Sequence, residues 1–319
     1  MSLVSRAIIV GAGGQDGRLL RSSLQTKGVD SVGISRHRIR YPDGKEDNFS
    51  TLDEQQIQSL LSEYQPDQIY YLAAHHTSSQ GASLESSSED YSVSHETHVV
   101  GLHHFLEAIR VIRPNARLFY ASSSLIFDGS VGPKQSENTP FGPIGFYGLT
   151  KLQGMMLCRH YCREYGLFAC SGILFSHESN YRPASYLSKK IISAAYAVSR
   201  GRDAKVAVGN LDSINDWGYA ADYVEAFQGI LRLGSPGDFV VASGEGHTVR
   251  EFAQCVCDQF GLRLSDCFVE DKSLPLRRAG PRIGDYAKLR EAVGWSPSKS
   301  FDQMIQALVN DYVKAIEEA

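Results

Sequence analysis

Ala7-Ile8-Ile9-Val10 runs straight into Gly11-Ala12-Gly13-Gly14-Gln15-Asp16-Gly17, and residues 18–24 open a helical pattern. A short apolar strand, a glycine turn and a helix in that order make an anion site, because the first N–H groups of a helix have no partner within it. The glycines differ in role. Gly11 permits the tight turn, Gly14 lets a pyrophosphate approach the backbone, and Gly17 lets the helix pack on the sheet. Residues 31–34 supply a second strand that closes a βαβ unit, so the expected guest of this turn, Gln15 and Asp16 included, is a dinucleotide. A turn that uses glycine only for its backbone freedom is the blander alternative. The position at the mouth of a strand near the N-terminus argues against it.

The second strand bears on the cofactor. A site selective for the form without a 2′-phosphate usually ends this strand with an acid, whereas here Ser35-Arg36-His37-Arg38 follows. Positive charge suits a 2′-phosphate and ranks NADP above NAD, with Arg36 as the contact and Arg38 nearby. A solvated basic loop would carry the same charges.

At 319 residues the chain can bury a substantial core. The expected fold is α/β, a doubly wound parallel sheet with a smaller mixed α/β C-terminal domain. The division is 1–175 for the dinucleotide domain, completed by segments near 210–245, and 176–319, discontinuous, for the substrate domain. A net charge of −4 with acids and bases intermixed gives no bias towards nucleic acid. There is no run of eighteen apolar residues and no signal-peptide pattern at the start, so neither a membrane partner nor export is expected, and the location read from the sequence is cytoplasmic. The six cysteines lack the spacing of a metal knuckle and read as thiols in a reducing compartment. His75-His76 has no Cys, Asp or Glu beside it to complete a metal site, so no metal is expected.

Along the chain, helical spacing covers 52–63 and a strand 68–73, followed by a long polar loop from Ala74. Helical periodicity resumes near Val93 and continues over 101–111. A strand over 117–121 then ends in Ser122-Ser123-Ser124, a hydroxyl cluster at a strand terminus. A helix opens at Phe146-Tyr147-Gly148-Leu149-Thr150-Lys151 and runs to about Tyr165. Beyond it come a strand over 169–175, a loop and long helix over 182–199, and Asp216-Trp217-Gly218 entering a further helix. A strand follows over 238–241, then a helix capped by Thr248 with Glu251 three residues on, and closing helices that end near residue 316.

Tyr147 and Lys151 are four apart at a helix start and share one face. An ammonium near a phenol favours phenolate, so the pair reads as an acid–base for an alcohol being oxidised or a ketone being reduced. Lys151 can also hold a nicotinamide ribose. Ser123 supplies a hydroxyl for the same substrate oxygen.

With these residues in view, the chain resembles an extended short-chain dehydrogenase/reductase acting on nucleotide sugars, and within that group the GDP-mannose 4,6-dehydratases. The resemblance rests on Gly11 to Gly17, Tyr70-Tyr71-Leu72-Ala73-Ala74, Ala121-Ser122-Ser123-Ser124, Tyr147 with Lys151, and Gly172 to Ser179. It continues through Gly209-Asn210-Leu211-Asp212, Asp216-Trp217-Gly218 and Asp222-Tyr223-Val224-Glu225-Ala226. It implies a Rossmann domain with tightly bound NADP touched by Leu72, Ala73 and Ala74, and hydride removal from sugar C4 as the opening step. It further implies a nucleotide-diphosphate sugar, GDP-linked, as partner, and a homodimer or homotetramer made through the outer faces of the helices near 93–111 and 148–165. The substrate residues it suggests are Ser124, Leu125, Ser176, Glu178, Arg182, Lys189, Lys190, Asn215 and Arg278.

The departures bear on the reaction. The family places a glutamate two residues after the serine matching Ser123, where it handles the proton and water at C5 and C6; this chain has Leu125. Ser176, Tyr181 and Asn215 stand where asparagine, arginine and arginine are expected. The pattern favours C4 oxidoreduction or epimerisation. The alternative is a GDP-mannose 4,6-dehydratase with another acid in place of the one missing at Leu125, and a non-catalytic binding protein is the third reading.

Overall fold

The structure, a computed structural model, describes residues 5–75, 88–128, 132–202, 205–271 and 280–318. Its centre is an eight-stranded sheet. The strands are β1 (Arg6–Val10), β2 (Asp30–Ser35), β3 (Arg38–Arg40), β4 (Glu46–Asn48), β5 (Gln68–Tyr71), β6 (Arg117–Ser123), β7 (Phe168–Leu174) and β8 (Asp238–Val241), in spatial order β8-β7-β6-β5-β1-β2-β3-β4.

The apolar run of β1 explains its central place. Successive side chains of a strand point to opposite faces, and both faces here are covered by helices. Ile8 and Val10 join a core with Leu61, Phe105 and Met155 from the helices Glu54–Tyr64, Gly101–Ile112 and Phe146–Tyr165. Ala7 and Ile9 join the opposite core with Leu20, Leu24, Phe227 and Ile230 from Gln15–Thr26 and Ala220–Ile230. The chain leaves β1 for β2 on one side and returns to β5 on the other, so the carboxyl ends of β1 and β5 part at a topological switch point. Gly11 turns there with φ +97°, and a Cβ on it would lie 2.7 Å from the backbone N of Ala73.

Two expectations are corrected. The basic stretch after β2 is an antiparallel extension rather than a loop: β3 pairs with β2 and with β4, and the turn is made by Arg36 at φ +52°. Alternation in Arg38-Ile39-Arg40 drives it, since Ile39 is buried while its neighbours face water. Arg38 and Arg40 lie 3.6 and 3.7 Å from Glu46. Likewise Asp216-Trp217-Gly218 does not enter a helix directly. Trp217–Tyr219 is a strand paired in parallel with Ser176–Glu178, and the helix begins at Ala220. Gly218 allows this because the Tyr223 ring occupies the space a Cβ would need.

A third core gathers Ile191, Phe252, Val256, Ile305 and Leu308 from the helices Leu187–Ser199, Val249–Gln259 and Phe301–Glu317, with Trp217 packed among them. The Thr248–Glu251 capping box starts the second of these helices as its sequence predicts.

Asp216 fastens this region to the sheet. Its buried carboxylate accepts hydrogen bonds from Ser243 N and Ser243 Oγ, both at 2.7 Å, from Gly244 N at 2.9 Å and from Gly284 N at 3.1 Å. Burial pushes its pKa up to about 6 against the pull of those donors. An amide in its place turns an N–H towards N–H groups. Asp216→Asn is therefore expected to lower stability by about 1–3 kcal/mol for each backbone donor left unpaired, read as a fall in the urea midpoint; an unchanged midpoint would remove Asp216 as the fastening.

Candidate active site

A cleft of about 1720 Å³ opens where β1, β5 and β6 end. An ordinary small-molecule pocket measures roughly 300–1,000 Å³, so this one has room for two ligands. Ser35, Arg36 and His37 belong to its wall, as do Gly11, Gly14, Leu72, Ala73 and Ala74, and as does the far lip at Gly280-Pro281-Arg282. Arg38 is absent from the wall.

The glycine turn fits a dinucleotide pyrophosphate. The helix Gln15–Thr26 begins at Gly14 with no side-chain cap, leaving its first N–H groups for an anion. Gly14 borders the cleft, and a Cβ there would meet only Gly11 O, at 3.3 Å. Gly17 has no such room, since its Cβ would fall 2.3 Å from Gly11 O. Gln15 and Asp16 also border the cleft, but their side chains are engaged with protein. Gln15 donates to His177 O at 3.0 Å and accepts from Ser179 Oγ at 2.9 Å. His177 Nε2 lies 3.0 Å from both Asp16 oxygens, and its Nδ1 lies 2.7 Å from Phe175 O. Burial opposes charge on Asp16, yet His177 and then Arg182 hold its pKa below the usual carboxylate value. The turn is thereby stapled to the strand Ser176–Glu178.

Tyr147 and Lys151 stand at the start of the helix Phe146–Tyr165. Gly148 lets that helix approach the turn after β6, where its Cβ would sit 2.6 Å from Leu125 O. Lys151, 1% exposed, donates from Nζ to Ala121 O at 2.8 Å and to Ala73 O at 3.3 Å, bridging the ends of β6 and β5. Tyr147 shares the cleft wall with Ser123, and its ring centre lies 5.8 Å from Lys151 Nζ. Ser123 Oγ also accepts from Leu125 N at 3.2 Å. The electrostatics reverse the expected direction. Burial raises the Tyr147 pKa above that of a free phenol, while burial draws Lys151 down to about 7. Desolvation outweighs the pull of Arg182 on Tyr147 and of Asp16 on Lys151, so the protein's own groups disfavour a phenolate.

His98, which sequence reasoning missed, lies fully buried with its ring edge-on to Tyr147 at 5.2 Å. His75 N donates to its Nε2 at 3.0 Å, so the facing Nδ1, 2.8 Å from Thr150 Oγ1, carries the proton. A lone histidine in a helical run carries no signal of this in the sequence.

Ser124, Leu125, Ser176, Glu178, Arg182 and Asn215 line the cleft. Glu178 accepts from Ser188 Oγ at 2.6 Å and from Arg182 Nε at 3.2 Å. Lys189 and Lys190 do not line it: Lys189 donates to Asn180 O at 3.0 Å and lies over the Tyr312 ring, because the helix Leu187–Ser199 turns these positions away. Arg278 lies outside the described residues. Among the cleft residues that went unnoticed are Tyr186 and Arg282, although Tyr186 follows Arg182 by four positions. Among the described residues no group of three or more His, Cys, Asp or Glu could hold a metal, and no helix is long and apolar enough to cross a membrane.

Comparison with known proteins agrees with this architecture. The family described as GDP-mannose 4,6 dehydratase matches residues 8–308. GDP-mannose 4,6 dehydratase 2 of Arabidopsis thaliana is 34% identical over 96% of this chain and 86% of its own. GDP-mannose 4,6-dehydratase of Vibrio cholerae is 28% identical over 98% and 95%. The fold matches RMD of Pseudomonas aeruginosa, solved with NADPH, at TM-score 0.80 and 20% identity, covering 98% of this chain and 100% of that one. It also matches dTDP-glucose 4,6-dehydratase of Bacillus anthracis, solved with NAD, at TM-score 0.80 and 16% identity, covering 98% of each.

The Lys151 amine sets a pH test. Its folded pKa of about 7 lies below the ordinary 10.5, so between those values the unfolded chain binds the extra proton and stability rises with pH. Lys151→Met should lack this rise. Melting curves from pH 7 to about 10 that run parallel in both proteins would contradict the buried amine.

Proposed function

The chain belongs to the GDP-mannose 4,6-dehydratase family, and we propose that it oxidises or reduces C4 of a nucleotide-diphosphate sugar, GDP-linked, with NADP. The observation that carries this reading is that Tyr147, Ser123 and buried Lys151 line one cleft together with the glycine turn. A nicotinamide held in this cleft would supply a hydride acceptor for the sugar carbon and, in reverse, a hydride donor. The protein's residues handle the proton: Tyr147 takes it from the C4 hydroxyl or returns it, Ser123 fixes the same oxygen, and Lys151 orients the ribose from the strand ends. Positive charge from the ribose-held nicotinamide ring supplies what the protein alone lacks for a phenolate.

Arg36 in the cleft wall supports NADP over NAD, and Arg182 and Arg282 offer guanidinium groups to the sugar-nucleotide diphosphate. Leu125 lines the same wall and can neither give nor take a proton, which favours C4 oxidoreduction, or epimerisation through a ketosugar, over full dehydration. Dehydration remains the second reading, supported by the names of the relatives. The helices Gly101–Ile112 and Phe146–Tyr165 carry exposed Val111, Leu149 and Tyr165, and we assign this side to a homodimer or homotetramer contact. All six cysteines are free thiols, which suits the cytoplasm.

A 4-keto sugar nucleotide supplied with NADPH should be reduced, and Tyr147→Phe should slow this by roughly 10²–10⁴. GDP-mannose with NADP should give little 4-keto-6-deoxy product until Leu125→Glu restores an acid. Fast dehydration by the unaltered protein would favour the second reading. For the cofactor, Arg36→Ala should abolish a preference for NADP measured by titration; equal affinities in the parent protein would overturn the assignment by charge.

A further inference from the structure

The loss of an exchangeable group at Leu125 raises the question of what else in the cleft can move a proton to or from carbon. Asp16 is held by His177, and Glu178 by Ser188 and Arg182. Tyr186 shares the cleft wall with Ser123, Leu125, Tyr147 and Arg182. Its backbone is fixed, with its N–H donating to Pro183 O at 3.1 Å and its carbonyl accepting from Lys190 N at 2.9 Å at the start of the helix Leu187–Ser199. The guanidinium carbon of Arg182 lies 4.5 Å from its ring centre.

We propose that Tyr186 is a second catalytic acid–base, which removes a proton from the sugar carbon next to the C4 ketone and returns one to it. The proposal rests on the C4 redox reading above, because only a ketone at C4 makes the neighbouring C–H acidic. The C–H bond breaks, its proton goes to the Tyr186 oxygen, and its electron pair forms an enolate whose oxygen accepts hydrogen bonds from Tyr147 and Ser123. Reversal restores the C–H bond, and no further reactant is consumed. Arg182 supplies the positive charge that a phenol acting as a base needs nearby.

The two phenols cannot carry charge together. Both line the same cleft, and after burial Tyr186 is the largest influence raising the Tyr147 pKa, so ionisation of one phenol opposes that of the other. They act in turn: Tyr147 is neutral once it has taken the proton from O4, and Tyr186 then gives its own hydroxyl proton to solvent and bears the charge.

The test offers a 4-keto sugar nucleotide to the cofactor-loaded protein in deuterium oxide and follows two rates, deuterium entry at the carbons flanking the ketone and NADPH-dependent reduction of the ketone. Tyr186→Phe is expected to lose roughly 10²–10⁴ in exchange while reduction stays within a few-fold, which also shows that the variant is folded. Tyr186→His should keep exchange with its pH profile displaced towards acid. Exchange by Tyr186→Phe at the parent rate, equal loss of both rates, or an unmoved profile in the histidine variant would overturn the proposal. Parent protein that exchanges but does not reduce would instead sink the redox reading, while loss of that exchange in Tyr186→Phe would still uphold the acid–base role of Tyr186.

Discussion

A buried amine joined to the ends of two neighbouring strands is the constraint on which the cleft depends. Lys151 donates to Ala121 O and Ala73 O, one at the end of β6 and the other just past β5. A buried carbonyl without a donor is costly, and one side chain serves both of these. Tying them with one side chain fixes the helix Phe146–Tyr165 above the strand ends, and with it the place of Tyr147. Gly148 against Leu125 O and Gly154 against the Tyr120 hydroxyl let the helix sit that low. Gly11 beside Ala73 closes the same junction from below, so the dinucleotide turn and the acid–base pair share a floor.

The region that follows β7 is held to this floor by charge and hydrogen bonds as well as apolar packing. The Asp16–His177 contact and the Gln15–Ser179 bond staple the glycine turn to the strand Ser176–Glu178, and Asp216 ties its own segment to those at Ser243-Gly244 and Gly284. Such buried polar junctions define one arrangement where an oily contact tolerates several. They also explain why two residues of a phosphate-binding turn direct their side chains to protein: the backbone N–H groups remain for the anion.

The sequence made the sheet and its turn legible because both depend on local pattern. An apolar run, three glycines with distinct roles and a capping box are written in adjacent residues. The hairpin of β3 and β4 escaped because three-residue strands with charged neighbours resemble a loop, and only buried Ile39 marks them. Tyr147, Lys151 and Ser123 were legible through helical spacing and a strand end. Their electrostatics were not, since burial is a property of the assembled core and here it exceeds the pull of a neighbouring charge. Lys189 and Lys190 were misplaced because like charges in sequence need not share a helix face. His98 and Arg282 stayed hidden because each reaches the site across a long chain separation with no local motif around it, and Tyr186, though four residues from Arg182, belongs to none of the motifs.

These features combine in one cleft, where the glycine turn, Tyr147 and Leu125 share a wall; in the proposed function the phenol handles the C4 oxygen while Leu125 withholds the acid that elimination would use. The central claim is that hydride leaves sugar C4 and enters the cofactor. It is tested most directly with a GDP-hexose carrying deuterium at C4, incubated with the protein and oxidised NADP, followed by mass analysis of the nicotinamide. The account predicts deuterium on the nicotinamide ring, and no transfer in Tyr147→Phe. Sugar that is turned over while no deuterium appears on the nicotinamide at any time within a single turnover would contradict it.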